Sequence, residues 1–173
     1  MAKLARNYLG LVGISGFVVA LDQWSKVLLR LRLAPGETWS PWEWLAPYAR
    51  LVHSDNTGAA FGIFQDGASF FTVVAILVSA AIIYYFPRVP VEQRALRIAL
   101  ALQLGGAVGN LIDRLLQAGR VTDLISIGSF PVFNLADASI SVGVAILLGS
   151  MLLQKRRPTE PEDSLAEIEQ TPG

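Results

Sequence analysis

Four long apolar stretches constrain the fold of this chain more than any other feature. They cover residues 68–86, which carry no charge, 133–153, 8–31 and 97–116. The hydrocarbon core of a bilayer is about 30 Å thick, and about 20 residues of helix are needed to cross it. Charged residues make up only 16 % of the chain, which is low for a water-soluble domain. We therefore predict an all-α integral membrane protein with four transmembrane helices.

Basic residues near the ends of these stretches predict the orientation. Lys and Arg concentrate in the cytoplasmic connections of membrane proteins. With four spans, the basic groups before the first, between the second and third, and after the fourth all fall on one side. We expect that side to be the cytoplasm, with both termini there and with loops 33–67 and 117–132 facing outward. The residues concerned are Lys3, Arg6, Arg88, Arg94, Arg97, Lys155, Arg156 and Arg157.

The chain is expected to form one membrane domain over residues 1–157. The first span follows basic residues as a signal peptide does, but no small-residue cleavage pattern comes after it, so we expect an uncleaved helix. Residues 158–173 carry five acids between prolines and are expected to form a disordered cytoplasmic tail. In the outer loops, residues 50–53 and 121–133 are strand-like, the second with a possible turn at Gly128 and Ser129. Tryptophans 39, 42 and 44 and Tyr48 indicate an interfacial aromatic element.

Composition excludes several kinds of chemistry. The chain has no cysteine and one histidine, His53, which removes thiolate nucleophiles, disulfides and multi-histidine metal sites. We expect His53 to be structural or solvent-exposed. The balance of 14 basic and 14 acidic residues argues against a nucleic-acid partner. A Gly-x-Ser-Gly match at Ser15 is set aside, since Ser15 is predicted near the cytoplasmic side and His53 in an outer loop.

Polar residues from several segments are predicted to meet at the outer ends of the helices. Ionisable groups inside a membrane are costly and are candidates for function. The inner halves of the four spans carry no such set, so the convergence indicates a site. Its members are Asp22 and Lys26 in the first span, Asn110, Asp113 and Arg114 in the third, Asn134 and Asp137 at the start of the fourth, and Asn56, Gly58 and Asp123 in the outer loops.

Two of these sets also have structural interpretations. Asp22 and Lys26 lie four residues apart on one helix face and could simply neutralise each other. Asn134 and Asp137 have the spacing of a helix capping box. Both interpretations stay open beside a direct role in chemistry.

The third span raises similar alternatives. Asn110 and Arg114 share a face, and Arg114 is expected to pair with a carboxylate or to extend to the lipid headgroups. Asp113 points elsewhere and is expected to be an interfacial charge or a partner for an arginine. Gly105 and Gly109 have the small-xxx-small spacing that is typical of helix packing in membranes.

Two aspartates held close together can hydrolyse a peptide bond without cysteine, histidine or metal. Such a pair shares one proton, because both carboxylates cannot easily ionise together. The ionised member takes a proton from water, and the protonated member donates to the carbonyl oxygen under attack. Asp123 and Asp137, one in a loop and one in a helix, suit these roles. The alternatives are a small proton-coupled or ion-binding transporter and a structural assembly protein.

Five sequence blocks, in order, resemble the lipoprotein signal peptidase (signal peptidase II) family. The resemblance covers residues 8–153. The blocks are Asp-Gln-Trp-Ser-Lys at 22–26, Asn-Thr-Gly-Ala-Ala-Phe at 56–61, Gly-Gly-Ala-Val-Gly-Asn-Leu-Ile-Asp-Arg at 105–114, Val-Thr-Asp-Leu-Ile at 121–125 and Phe-Asn-Leu-Ala-Asp at 133–137.

The resemblance implies an aspartyl endopeptidase of the bacterial inner membrane. Such an enzyme removes the signal peptide from diacylglyceryl-modified prolipoproteins, cutting before the lipidated cysteine. The resemblance also implies an extracytoplasmic β-cradle with a short outer helix. We expect a lipid-modified prolipoprotein and membrane lipids as partners, with no cofactor and no obligate protein partner. It implies that Asp123 and Asp137 are the catalytic dyad, and that the supporting residues are Asp22, Lys26, Asn56, Gly58, Asn110, Arg114, Val121, Asn134 and Ala136.

Overall fold

Four long helices dominate the computed structural model, which describes residues 2–57 and 67–155. They are α1 (Ala2–Arg32), α2 (Ala68–Tyr85), α3 (Arg94–Leu116) and α4 (Leu135–Lys155). Each is long and apolar enough to cross a membrane. The four predicted spans are therefore confirmed, and the chain is a mostly helical, multi-pass membrane protein. The predicted tail, residues 158–173, and the predicted site residue Gly58 lie outside the described residues.

The outer faces of the helices are apolar. Leu9 and Phe17 of α1, Leu77 of α2 and Leu152 of α4 are among the large hydrophobic side chains that are exposed on the surface. A water-soluble bundle would turn such side chains inward, because exposing them to water is unfavourable. The exposed apolar belt therefore fits a lipid environment.

Helix α3 is the centre of the bundle and packs against α1, α2 and α4. Glycines permit its closest approaches. A Cβ atom at Gly105 would lie 2.7 Å from the Cβ of Val18 on α1, and one at Gly106 would lie 2.6 Å from Ile140 Cγ1 on α4. At Gly109 the neighbour is the Asp22 carboxylate, with Oδ2 at 2.8 Å. The packing role predicted for Gly105 and Gly109 agrees with this geometry.

A small antiparallel sheet covers one end of the bundle. Its strands are β1 (Thr38–Trp39), β2 (Ala49–Asn56) and β3 (Val121–Ile127), in the order β1-β2-β3. The sequence does not predict β1 as a strand, although it assigns Trp39 to the aromatic interfacial element. The predicted turn lies after β3, where Gly128 has φ +52° and the chain folds back so that Phe133 pairs with Ile125.

The connection between β1 and β2 contains turns at residues 43–48. Between α1 and α2, the described residues contain no helix, so they do not supply the short outer helix that the resemblance implies. The sheet lies where α1 and α3 end and where α2 and α4 begin, so the polar ends of the helices are gathered beneath it.

Candidate active site

The two predicted catalytic residues open into one cavity beneath the sheet. Asp123 is on β3 and is 2 % exposed, and Asp137 is in the first turn of α4. The cavity has a volume of about 480 Å³ and is lined by both aspartates. The other lining residues are Asn56, Val121, Phe130, Pro131, Val132, Phe133, Ala138, Ile140 and Ser141. Two carboxylic acids thus face an otherwise mainly apolar space.

Three asparagines hold the two carboxylates. Asn134 Nδ2 donates to Asp123 Oδ1 at 2.7 Å, and Asn56 Nδ2 donates to Asp123 Oδ2 at 3.1 Å. Asn110 Nδ2 donates to Asp137 Oδ1 at 2.7 Å. Asn134 Nδ2 also donates to Asn110 Oδ1 at 3.2 Å, so the two acids belong to one hydrogen-bond network. A buried network of this kind fixes the positions of its members when each is satisfied.

The capping box predicted at the start of α4 is present. The Asp137 backbone N–H donates to Asn134 Oδ1 at 2.9 Å, and the Asn134 N–H donates to Asp137 Oδ2 at 3.4 Å. Asp137 nevertheless lines the cavity. The structural interpretation and the chemical one are therefore compatible, because the cap fixes the carboxylate that faces the cavity.

The surroundings of Asp123 favour its protonated form. Burial and, after it, the charge of Asp137 raise the pKa of this carboxyl to about 7, although hydrogen bonds from Asn56 and Asn134 and the charge of Lys26 oppose the increase. Desolvation disfavours the charged form of a carboxyl, and so does a nearby negative charge. Asp123 therefore changes its charge near neutral pH.

A buried ion cluster lies behind the two aspartates. Lys26 Nζ is 2.8 Å from Asp22 Oδ2, 2.9 Å from Asp113 Oδ2 and 3.1 Å from Asn110 Oδ1. Asp22 and Lys26 are 0 % exposed and Asp113 is 1 % exposed. Arg30 adds a second positive charge 3.8 Å from Asp113 Oδ1. Two cations thus balance two anions, which buried charges require.

This cluster also binds the backbone directly before each aspartate. The N–H of Ala136, which precedes Asp137, donates to Asp22 Oδ1 at 3.0 Å. The N–H of Thr122, which precedes Asp123, donates to Asp113 Oδ2 at 3.1 Å. The neutralised carboxylates therefore tie α1 to α4 and α3 to β3. The predicted neutralisation of Lys26 by Asp22 is one part of this larger arrangement.

The structure brings most of the predicted residues together and bears on the alternatives left open for Asp113 and Arg114. Asp113 is buried, and of its two predicted roles the structure supports that of a partner for an arginine, since Arg30 lies 3.8 Å away, although its shortest ion pair is with Lys26. Arg114 makes no ion pair with a described carboxylate and places its guanidinium 5.7 Å from the centre of the Phe71 ring. Charge and spacing alone could not assign either partner.

Sequence reasoning also missed Gln23. Its amide donates to Asp22 Oδ2 at 3.2 Å, to the Gly109 carbonyl at 3.0 Å and to Asp113 Oδ1 at 3.2 Å. The available signal was its place in the block Asp-Gln-Trp-Ser-Lys at 22–26, between Asp22 and Lys26. His53, by contrast, is buried with Nδ1 2.8 Å from the Leu33 carbonyl oxygen, which agrees with the structural one of its two predicted roles.

Residues 2–57 and 67–155 contain no group of three or more His, Cys, Asp or Glu side chains that could hold an ion.

Comparison with known proteins places the chain in a family. The family model described as signal peptidase (SPase) II matches residues 14–153. The chain belongs to this family. The resemblance carried by the five sequence blocks is thereby confirmed, and this signal peptidase II family member is a membrane protease of lipoprotein processing.

Individual relatives agree with this assignment. The chain is similar to the lipoprotein signal peptidase of Moorella thermoacetica, with 40 % identity over 79 % of this chain and 88 % of the relative. It is 41 % identical to that of Caldanaerobacter subterraneus over 82 % of this chain and 94 % of the relative. A solved bacterial membrane enzyme is 29 % identical, with a TM-score of 0.79 over 88 % of this chain and 93 % of that one.

Proposed function

We propose that this signal peptidase II member is an aspartyl endopeptidase whose catalytic dyad is Asp123 and Asp137. The supporting observation is that both carboxyl groups line one cavity and accept hydrogen bonds from Asn134, whose side-chain amide donates to Asp123 and whose backbone N–H donates to Asp137. The proposed reaction removes the signal peptide from a diacylglyceryl-modified prolipoprotein and cuts just before the lipidated cysteine.

In the proposed mechanism the dyad holds one proton at the start. The ionised carboxylate takes a proton from water as the water oxygen attacks the scissile carbonyl carbon. The protonated carboxyl donates its proton to the carbonyl oxygen, which gives a neutral tetrahedral diol. In the collapse of the diol the C–N bond breaks, the protonated carboxyl gives its proton to the leaving amine nitrogen, and the ionised carboxylate takes a proton from one diol hydroxyl. The signal peptide leaves with a new carboxyl end, and the dyad again holds one proton. A pKa of about 7 for Asp123 supports a shared proton near neutral pH.

The supporting residues are proposed to act through position. Asn56, Asn110 and Asn134 orient the carboxylates, and Asp22 and Lys26 hold the backbone behind them. Val121 and Ala136 are the buried neighbours that shape the site, since Val121 lines the cavity and Ala136 is fully buried. Gly58 and Arg114 complete the proposed set.

The apolar walls of the cavity suit a lipidated substrate. Phe130, Phe133 and Ile140 line it beside the two aspartates. Burial of an acyl chain contributes about 0.8 kcal/mol per methylene group. We therefore propose that the lipid anchors the cysteine next to the dyad, and that an unlipidated precursor is a poor substrate.

We propose that the site faces the outer leaflet of the bacterial inner membrane, with both termini in the cytoplasm. The charge distribution supports this orientation. In it, the three-stranded sheet is the extracytoplasmic cradle over the site, and residues 1–157 form the single peptidase domain. Residues 158–173 are then a disordered cytoplasmic tail.

A proton relay is less well supported than hydrolysis. A relay through the membrane needs titratable groups at several depths. In the described parts of the four helices, no Asp or Glu lies in the half away from the sheet. The acids instead gather at one depth, as a hydrolytic centre requires.

The decisive test compares Asp123→Asn and Asp137→Asn with the unchanged protein. Purified protein is incubated with a lipidated precursor, and cleavage is read as a mass shift. Each substitution is expected to reduce the rate by at least about 10²-fold, because it removes one acid–base group. The matched control is Asp55→Asn on β2, a partly exposed carboxylate that does not line the cavity.

Full activity of either dyad variant would refute the proposed dyad. Equal cleavage of lipidated and unlipidated precursor would refute the proposed substrate class but leave the dyad standing. Loss of activity with a chelator would contradict a mechanism without metal.

A further inference from the structure

A second cavity lies on the other side of the catalytic strand. Its volume is about 550 Å³, and it runs between the sheet-side end of α1 and the sheet. Helix α1 contributes five residues at helical spacing, Trp24, Ser25, Leu28, Leu29 and Arg32. The remaining lining residues are Leu33, Trp39, Leu51 and Leu124. None of these residues lines the cavity that holds the two aspartates.

The polarity of this cavity changes along the membrane normal. Arg32 is in the last turn of α1, at the membrane boundary, whereas Trp24 is eight residues deeper, or about 12 Å at 1.5 Å per residue. Between them the α1 wall is mainly leucine. The groove thus has a cation near the headgroup layer and apolar walls below it. A phospholipid has the matching arrangement, with its phosphate in the headgroup layer and its acyl chains below.

The charge at the rim is available to a ligand. Arg32 is exposed and makes no ion pair with a described carboxylate, in contrast to Arg30, which turns inward to Asp113. The acid nearest to Arg32 along the chain, Glu37, accepts a hydrogen bond from the Ala34 N–H at 2.7 Å and does not line the cavity. The described lining therefore carries one positive charge and no negative charge.

Two tryptophans flank the groove. Trp24 is 63 % exposed and Trp39 is 53 % exposed, and both line the cavity. Indole rings favour the interfacial layer, where they contact glycerol and the upper acyl chains. Trp39 therefore marks the upper part of the groove as interfacial, whereas Trp24, about 12 Å below Arg32, flanks the part that faces the acyl chains.

From this placement we infer that the cavity binds an anionic glycerophospholipid, with its phosphate at Arg32 and an acyl chain along Leu28 toward Trp24. Side chains alternate across a strand, so Leu124 faces this groove while Asp123 faces the other cavity. The bound lipid therefore contacts the reverse face of the strand that carries Asp123. The site is separate from the one proposed for the lipidated precursor.

The experiment measures lipid binding to the purified full-length protein in a nonionic detergent by native mass spectrometry. The probes are dioleoylphosphatidylglycerol and dioleoylphosphatidylcholine, which have equal chains and differ in net charge. The unchanged protein is expected to bind the anionic lipid about fivefold more tightly, as about 1 kcal/mol per basic residue near an anionic surface predicts. Arg32→Gln is expected to abolish this preference.

Two further variants make the result specific. Arg50→Gln removes an exposed arginine of β2 that does not line the cavity, and it should keep the preference. Leu28→Trp fills the groove and should weaken the binding of both lipids. Equal binding of the two lipids by the unchanged protein, or an intact preference in Arg32→Gln, would overturn the inference. Because the readout is binding, this result is independent of whether the dyad is catalytic.

Discussion

Replacing Asp123 with asparagine should remove a pH-dependent loss of stability as well as activity. In the native protein, burial and the charge of Asp137 hold the pKa of Asp123 at about 7, against an ordinary value of 3.8. The folded state therefore binds this proton more tightly than the unfolded state. As the pH rises through about 4 to 7, the unfolded chain loses its proton first and the native state becomes relatively less stable.

The magnitude follows from the two pKa values. The full difference corresponds to about 4 kcal/mol, at about 1.36 kcal/mol for each pH unit. Between pH 5 and pH 8 the unchanged protein should lose about 2–3 kcal/mol of this, because at pH 5 most of the unfolded-state titration is already complete. For a chain of this size, that equals about 5–10 °C in Tm. The asparagine side chain cannot ionise, so the variant should lack this component.

Asparagine has a compensating cost at this position. Asp123 accepts hydrogen bonds from Asn134 and Asn56, one on each oxygen. An asparagine offers one acceptor oxygen, so one of the two donors loses its partner, at about 1–3 kcal/mol. The absolute Tm of the variant is therefore a poor measure of the effect. The change in Tm between pH 5 and pH 8 isolates the titration, because the lost hydrogen bond contributes at both pH values.

The assay is thermal unfolding of purified protein in detergent at pH 5 and pH 8. The unchanged protein and Asp55→Asn should show the larger decrease at pH 8, and Asp123→Asn the smaller one. Asp55 is a suitable control because its carboxylate is partly exposed and pairs with Arg120 on the surface. An equal decrease in Asp123→Asn and in the unchanged protein would refute the reasoning from burial.

Three other outcomes are expected. Cleavage of a lipidated precursor should decline above about pH 7 as Asp123 loses its proton, and a constant rate from pH 5 to pH 9 would contradict the shared proton. Gly106→Ala should lower the free energy of unfolding by about 1–3 kcal/mol, since its Cβ would meet the Ala136 carbonyl. Gly13→Ala should be neutral or stabilising, because a Cβ there has no neighbour within 4 Å. Equal Tm values for the two variants would refute the packing argument. Lys26→Met should cost about 3–5 kcal/mol by leaving buried carboxylates unpaired; an unchanged unfolding midpoint would show that the cluster is dispensable.

Hydropathy predicted the helices well because the bilayer imposes a length on each span. The predicted span 97–116 and the observed α3, Arg94–Leu116, end at the same residue. The depth of the polar residues followed from the same topology, so the convergence of Asp22, Asn110 and Asp137 at one end of the bundle could also be predicted. These are properties of single segments and their order.

The sequence alone could not predict which residues of different segments contact each other. Asp113 has the same side chain as Asp22 and Asp137 and lies at the same end of the bundle. Only the packing of α3 on α1 shows that Asp113 faces Lys26. Likewise, the two-residue strand β1 forms only because Thr38 pairs with Val52 and Trp39 with Leu51. No local sequence pattern predicts this pairing. Such contacts arise from tertiary geometry, where a rotation of one helix by a single residue changes every partner.

The ion pair on α1 has a consequence for how the protein is made. A lone aspartate or lysine in the middle of an inserting helix costs about 2.5–3.5 kcal/mol. Because Asp22 and Lys26 are on one helix at 2.8 Å, α1 carries its own counter-ion and can enter the bilayer before α3 has been synthesised. When α3 is inserted later, Asp113 and Asn110 can bind Lys26, which is already in the membrane. Asp137 comes with the last span, so a chain interrupted during synthesis lacks one member of the proposed dyad.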